Sequence, residues 1–403
     1  MLQHHSSSGA RPAAQQQPCS KRHLLLGGGA AAAAGVLVPP PPPAHAARKQ
    51  RAADGEGVRQ AVLPPVPRVQ IAKGLKISQV VKGCWQLDGR HHGDVVSDRT
   101  SGGPAIEDME RFGTMERVTT FDTSDAFGPS EALIGQFRGL SPRVADDCTV
   151  LTKLTFMGAP GPGAISGEMI EYRVRAACTR LGLARLPLVQ LHWDDWGARG
   201  YIDAALALSD LQRRGLVGAV GVCNWDVPRL LELIDAGVTP VTNQVCYSIL
   251  DRRPGLFLPP VCERHGVALL AYGTLAGGFL GDTFLGLPAN KAKLDTVSKA
   301  KYGTWIQQLG GWTVLQDTLA VLKRVGRKHG GVSPSLVAMR WVLQQPGVLA
   351  LVVGQRNALH LGDARRLFSF ALDEVDMLDI DAAYEGAAQP TTDVYQWERG
   401  GAW

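Results

Sequence analysis

Eight short apolar, β-branched runs recur down this chain from about Lys76: ISQVVKGCW, VTTFDTS, TVLTKLTF, LPLVQLHW, VGAVGVCN, VTNQVCYS, VALLAYG and VLALVVG. Several are apolar almost throughout, as strands covered on both faces should be; a strand with one wet face would alternate. Amphipathic segments separate them. GEMIEYRVRAACTRLG carries apolar residues at helical spacing and ends at Gly182. YIDAALALSDLQRRG ends at Arg213-Arg214-Gly215, and Pro228 suits the first turn of a helix in WDVPRLLELIDAG. Strand–helix alternation repeated eight times predicts an α/β fold, a (β/α)8 TIM barrel. The rival, an open doubly wound sheet, usually carries a GxGxxG turn after its first strand, and none occurs here. The last strand-to-strand step, from Ala276 to Val348, is far longer than the others, which predicts an insertion between strand 7 and helix 7. It is expected to run over the barrel mouth, with Trp305, Gly310, Gly311 and Trp312 forming a lid. Beyond Asp373 a helix and an unstructured tail are expected.

The N-terminus reads differently. Lys21-Arg22 precedes an apolar run from Leu24 to Val38, too short to span a bilayer comfortably, and Ala44-His45-Ala46 offers a small-x-small cleavage site. This predicts a targeting segment over 1–46, a linker and N-terminal extension over 47–75, the barrel over 76–385 and a C-terminal tail over 386–403. The polar residues ahead of Lys21 suit an organelle transit peptide. The address expected is the chloroplast, possibly through to the thylakoid lumen, with secretion or a cytoplasmic location as alternatives; the plain alternative is an Ala/Pro-rich tail with no targeting role. No later apolar run is long enough for a membrane helix, so no integral membrane segment is expected in the mature chain. Of the 42 basic residues, Arg11, Lys21 and Arg22 fall within 1–46, and the remaining 39 face 37 acids, a net +2. That near-neutral body gives no electrostatic case for a nucleic-acid partner. The seven cysteines form no CxxC and no zinc-type spacing with histidine, so no metal is expected. They read as buried apolar thiols.

In a barrel of this kind chemistry gathers at the C-terminal ends of the strands. Polar residues inside the apolar runs are therefore informative. Strand two ends with Asp122, strand three carries Lys153, and strand four carries His192. Strand five ends Cys223-Asn224, strand six holds Gln244, and strand seven ends at Tyr272. A lysine inside VLTKLTF is costly to bury alone, and Asp122 on the neighbouring strand is the natural partner. A structural ion pair and a hydrogen-bonded core histidine are the plain readings of Lys153 and His192. Three ionisable groups at three successive strand ends favour a functional one. Trp85, Trp193 and Trp225 are candidates for an apolar pocket wall, and Asp194 and Asp195 read as structural.

At these residues the chain resembles the aldo/keto reductases. FDTSDAFGPSE resembles the family's DTA-x-x-YG-x-SE segment, LTKLTF its catalytic-lysine strand and LVQLHW its catalytic-histidine strand. GVCNW resembles GVSNF, NQVCYSILDR the NQ-x-x-Y run, and AYGTLAGGFL the AYSPL-x-GG-x-L run. VVGQRNALHLGDA resembles the C-terminal cofactor segment G-x-R-N-x-x-x-L-x-EN. The matches run in order from about residue 77 to 380. The resemblance implies an enzyme that binds NADPH across the barrel mouth and transfers hydride to a small-molecule carbonyl substrate. It implies Asp122, Lys153 and His192 as three members of a catalytic tetrad. Asn224 and Gln244 would hold the carboxamide, and Tyr272 would stack under the nicotinamide. Gly273, Thr274 and Leu275 would approach the pyrophosphate. Gly354, Gln355 and Arg356 would lie around the adenosine 2′-phosphate, with Asp363 further along the same segment. Arg356 would favour NADP over NAD.

The fourth position departs from the pattern. Where the family has its tyrosine acid, this chain has Phe127. Hydride addition leaves negative charge on the carbonyl oxygen, and a missing general acid typically costs about 10²–10⁴-fold in rate. Three readings stand open. The protein is a reductase in which His192, or a water held by Lys153, donates the proton; or a weakly active NADPH-binding sensor or regulatory subunit; or a reductase of quinone-like acceptors.

Overall fold

The computed structural model describes residues 63–90, 99–158, 161–356, 360 and 362–401, all within one compact unit, 61–403. The expected targeting segment, 1–46, lies outside the described residues. The eight expected strands all form, as Val80–Gly83 (β3), Thr120–Asp122 (β4), Thr149–Phe156 (β5), Leu188–Trp193 (β6), Val220–Cys223 (β7), Thr242–Cys246 (β8), Ala268–Tyr272 (β9) and Val348–Gly354 (β10). They pair in parallel in chain order, and β10 closes on β3, giving the (β/α)8 barrel that the alternation predicts. Two earlier strands, Arg68–Ala72 (β1) and Leu75–Ser78 (β2), form an antiparallel hairpin ahead of the barrel. Residues 68–75, expected as linker, are thus ordered. Val69, Ile71, Ala72 and Leu75 of the hairpin pack against Val81, Leu151, Leu188, Leu270 and Ala350 and stopper the barrel at its N-terminal end.

Strand periodicity then decides what faces the barrel axis. Side chains alternate, so residues two apart share a face. Leu151, Leu188 and Ala219 belong to the apolar inner cluster, and two residues further along their strands stand Lys153, Gln190 and Gly221. Between them, Val150, Leu154, Val189, Leu191, Val220 and Val222 pack outward against the helices. The lower barrel is therefore apolar, and polar groups begin one layer up, toward the C-terminal mouth.

The helices end where the sequence signals. Ser166 caps Gly167–Leu181, and Gly182 closes it with φ 63°. Asp226 caps Val227–Asp235 through Arg229 N–H. The insertion after β9 builds helix Val297–Leu309, joined to helix Trp312–Lys328. It does reach the mouth, where the Lys301 ammonium lies 5.5 Å from the Tyr272 ring centroid and 5.8 Å from that of Trp85. It is not the lid expected. Trp305 is buried in the core and Trp312 packs against it, while Gly310 and Gly311 supply the positive φ angles of the joint between the two helices.

The C-terminal tail is also ordered, contrary to expectation. After helix Glu374–Ala382 the chain returns across the strand ends, finishing in a 3₁₀ turn at Trp397–Arg399. A long-range ion pair, Arg253 with Glu398, and several hydrogen bonds described below hold it there. The six cysteines among the described residues are free; five are buried and Cys148 is half-buried.

Candidate active site

The mouth-facing polar layer is tightly knit. Lys153 Nζ donates to Asp122 Oδ1 at 2.7 Å, to Oδ2 at 2.6 Å and to the Thr123 carbonyl at 3.0 Å. Both side chains are nearly inaccessible, at 4% exposure each. From across the barrel Gln244 Nε2 donates to Asp122 Oδ1 at 2.7 Å, and Gln190 Nε2 does so at 3.1 Å. Gly221 makes room for this: a Cβ there would lie 2.4 Å from Thr242 Oγ1 and 3.2 Å from Gln190 Cγ. Gln190 was not singled out from the sequence, although its place two residues before His192 in LVQLHW puts both on one strand face.

His192 stands one step nearer the mouth. Its Nε2 is 3.3 Å from Asn224 Nδ2, and Asn224 Oδ1 accepts from the Tyr272 hydroxyl at 3.0 Å. Burial, aided by the positive charges of Lys153, Arg399 and Lys301, lowers the His192 pKa to about 3, so the imidazole is neutral at physiological pH. Burial pushes the Cys223 thiol up to about 12 and Tyr272 well above its ordinary value. Neither ionises near neutrality. Asn224 adopts a left-handed backbone, φ 61°, which aims its amide between His192 and Tyr272.

Phe127 lies in the turn after β4, half-buried, with its ring centroid 5.3 Å from Lys153 Nζ. Asp122, Lys153, His192, Asn224, Gln244, Tyr272 and Phe127 thus form one cluster of contacts. The expected pocket tryptophans divide. Trp85 borders the mouth, but Trp193 and Trp225 are fully buried among Tyr201 and Trp196 in the helical layer, because they alternate out of phase with His192 and Asn224. Asp194 is structural, accepting from Gly158 N–H at 3.2 Å.

The remaining expected residues line the neighbouring ends of β9 and β10. Gly273 has φ 70°, and a Cβ there would lie 2.6 Å from both Cys246 Sγ and the Tyr302 hydroxyl. At Gly354 a Cβ would lie 2.3 Å from Gln86 Nε2. At both positions the space a Cβ would take is filled by neighbouring side chains, so packing at these adjacent strand ends requires glycine. Thr274 is buried and Leu275 half-buried. The Gln355 carbonyl accepts from the buried Lys82 ammonium at 3.0 Å, and Arg356 is half-buried beside it. Asp363 opens the short helix Asp363–Arg366 and pairs with His360 at 3.3 Å, which raises the His360 pKa. No distance places Asp363 within the cluster.

Sequence reasoning missed the groups that arrive from the tail. Arg399 donates to the Asp194, Trp193 and Asn224 carbonyls at 2.9, 3.0 and 3.4 Å. Tyr395 packs edge-on against the His192 ring, centroids 6.1 Å apart. Lys301 was missed as well, and among the described residues no carboxylate lies within ion-pair distance of it.

The family model for the aldo/keto reductase family matches residues 79–385. The chain belongs to that family. Its members generally bind NAD(P)H, and the Tyr272 ring, the Asn224 amide and the half-buried Arg356 guanidinium are groups whose chemistry suits such a ligand. An uncharacterized oxidoreductase of Mycobacterium tuberculosis is 29% identical over 68% of this chain and 80% of its own length. The chloroplastic pyridoxal reductase of Arabidopsis thaliana is 26% identical over 69% of this chain and 76% of its own. Among solved structures, a glycerol dehydrogenase from Gluconobacter oxydans superposes with a TM-score of 0.65, covering 81% of this chain and 97% of its own at 21% identity. That last likeness concerns the fold.

Proposed function

We propose that this protein is an NADPH-dependent carbonyl reductase in which Phe127 occupies the place of the family's tyrosine acid. The observation that carries the reading is the meeting of Asp122, Lys153, His192, Asn224 and Tyr272 at the mouth of one barrel. When bound, the reduced cofactor supplies the hydride. This chain's residues then do the rest. Tyr272 offers a ring for the nicotinamide, Asn224 and Gln244 offer amides, and the Gly273-Thr274-Leu275 turn offers its backbone to the pyrophosphate. Arg356 favours the 2′-phosphate of NADPH. His192, neutral and half-buried, offers its imidazole to the acceptor oxygen. A plastid location accords with the Lys21-Arg22 segment and with the chloroplastic relative in Arabidopsis thaliana.

The test is NADPH oxidation by the purified protein against a panel of aldehydes, ketones and quinones, beside NADH. Turnover of aldehydes or ketones supports the reading. A protein that binds NADPH and turns over no carbonyl refutes it. Such a result would favour the sensor reading, for which the absent hydroxyl at residue 127 is the specific observation.

A further inference from the structure

The C-terminal strap is a built part of the mouth. Arg253, 1% exposed, is gripped on both sides: it donates to Asp251 at 2.8 and 2.7 Å and to Glu398 at 2.8 and 2.7 Å. Asp393 accepts from Val227 N–H at 2.7 Å, and Gln396 donates to the fully buried Asp226. Arg399 ties the strap to three carbonyls at the ends of β6 and β7. Between these anchors Tyr395 is held at φ 62°, an uncommon backbone state for an aromatic residue and one that persists only where surroundings impose it. Its ring stands edge-on to His192, and among the described residues its hydroxyl makes no hydrogen bond. A phenol without a hydrogen-bond partner among the described residues is thus held by strained backbone with its ring beside the imidazole.

We propose that Tyr395 is the proton donor to the acceptor oxygen, doing from the C-terminal strap what a hydroxyl on residue 127 would otherwise do. The inference rests on the carbonyl-reductase reading. Hydride passes with its electron pair from the reduced nicotinamide to the carbonyl carbon. The C=O π pair moves to oxygen, and the Tyr395 O–H bond breaks as its proton joins that oxygen. NADP⁺, an alcohol and a phenolate result. The Arg399 guanidinium, 4.5 Å from the Tyr395 ring centroid, stabilises the phenolate until water on the half-exposed side of the strap restores its proton. Burial holds the resting phenol up at about 12, so the donor is loaded across the neutral range.

The test uses the full chain with an aldehyde that the wild type reduces. Tyr395→Phe should lower kcat by about 10²-fold or more, within the range for a lost general acid. NADPH affinity by fluorescence quenching and the thermal midpoint should stay unchanged. Adding Phe127→Tyr to Tyr395→Phe should restore most of the loss, because a phenol near Lys153 takes over. Tyr395→Phe activity within twofold of wild type would overturn the proposal. So would a loss matched by an equal fall in NADPH affinity or midpoint, or a loss that Phe127→Tyr leaves untouched. A wild type that binds NADPH but reduces no carbonyl would fail at the earlier step, overturning the reductase reading and this one with it.

Discussion

Lys153→Met is the perturbation that most directly probes the polar layer. Methionine keeps much of the stem and removes the ammonium, together with its bonds to Asp122 at 2.6 and 2.7 Å and to the Thr123 carbonyl at 3.0 Å. Among the described residues, the side chain of Asp122, 3% exposed, keeps only the amides of Gln244 and Gln190. Removing one partner of a buried pair typically costs about 3–5 kcal/mol, because a charge is left without compensation. The two surviving amide bonds argue for the lower end, about 3 kcal/mol, in a urea or thermal unfolding assay at pH 7. Asp122→Asn in the same background removes the stranded charge and should recover most of that loss. A Lys153→Met variant within about 1 kcal/mol of wild type at pH 7 would refute the reasoning. So would a double variant as unstable as the single.

Three further outcomes are expected. His192 has its folded pKa depressed to about 3 against an unfolded value near 6.5, so wild-type stability should fall as pH drops between those values; relative to His192→Gln the extra loss should approach roughly 1 kcal/mol per pH unit, read from urea midpoints. Glu398→Gln removes the charged half of the outer grip on Arg253 and should destabilise the fold by about 1–3 kcal/mol while exposing the C-terminal strap to limited proteolysis. Arg356→Ala should lower the preference for NADPH over NADH at least tenfold in direct titrations, with NADH affinity little changed.

The barrel was legible because its signal is repeated and local. Eight apolar runs of strand length with helical segments between them leave few alternatives, and the charged residues inside those runs announce their own partners. The hairpin before the barrel was missed although Val69, Ile71, Leu75 and Ile77 alternate around a turn at Lys73-Gly74; its strands are short and its partner surface, the barrel floor, is discontinuous in sequence. The insertion was placed over the mouth correctly, but its tryptophans and glycines suggested a lid when they serve a buried joint. Aromatic residues near a site look alike whether they face ligand or core, and only packing separates them. The strap could not have been read at all. DVYQWERGG has no helical or strand period, and its order comes from Arg253 with Glu398, 145 residues apart. Such a contact leaves no local trace.

The polar layer also bears on how Phe127 should be understood. Asp122 and Lys153 satisfy each other and take further bonds from Gln190, Gln244 and the Thr123 carbonyl, so the pair has a sufficient structural reason to exist without any phenol at residue 127. Support for catalysis therefore comes from its meeting with His192, Asn224 and Tyr272 and not from the pair alone. His192 is different. Among the described residues its side chain has one hydrogen-bond partner, Asn224, at a long 3.3 Å, and the positive charges of Lys153, Arg399 and Lys301 all act on it. Burial and the nearby positive charges hold the imidazole neutral, and those charges are useful where an acceptor oxygen gains negative charge. Replacing His192 should therefore separate chemistry from folding in a way that replacing Lys153 cannot. His192→Gln should lose reductase turnover while keeping its unfolding midpoint at pH 7, where the imidazole is already neutral; a variant that kept turnover would leave the cluster with a structural role only.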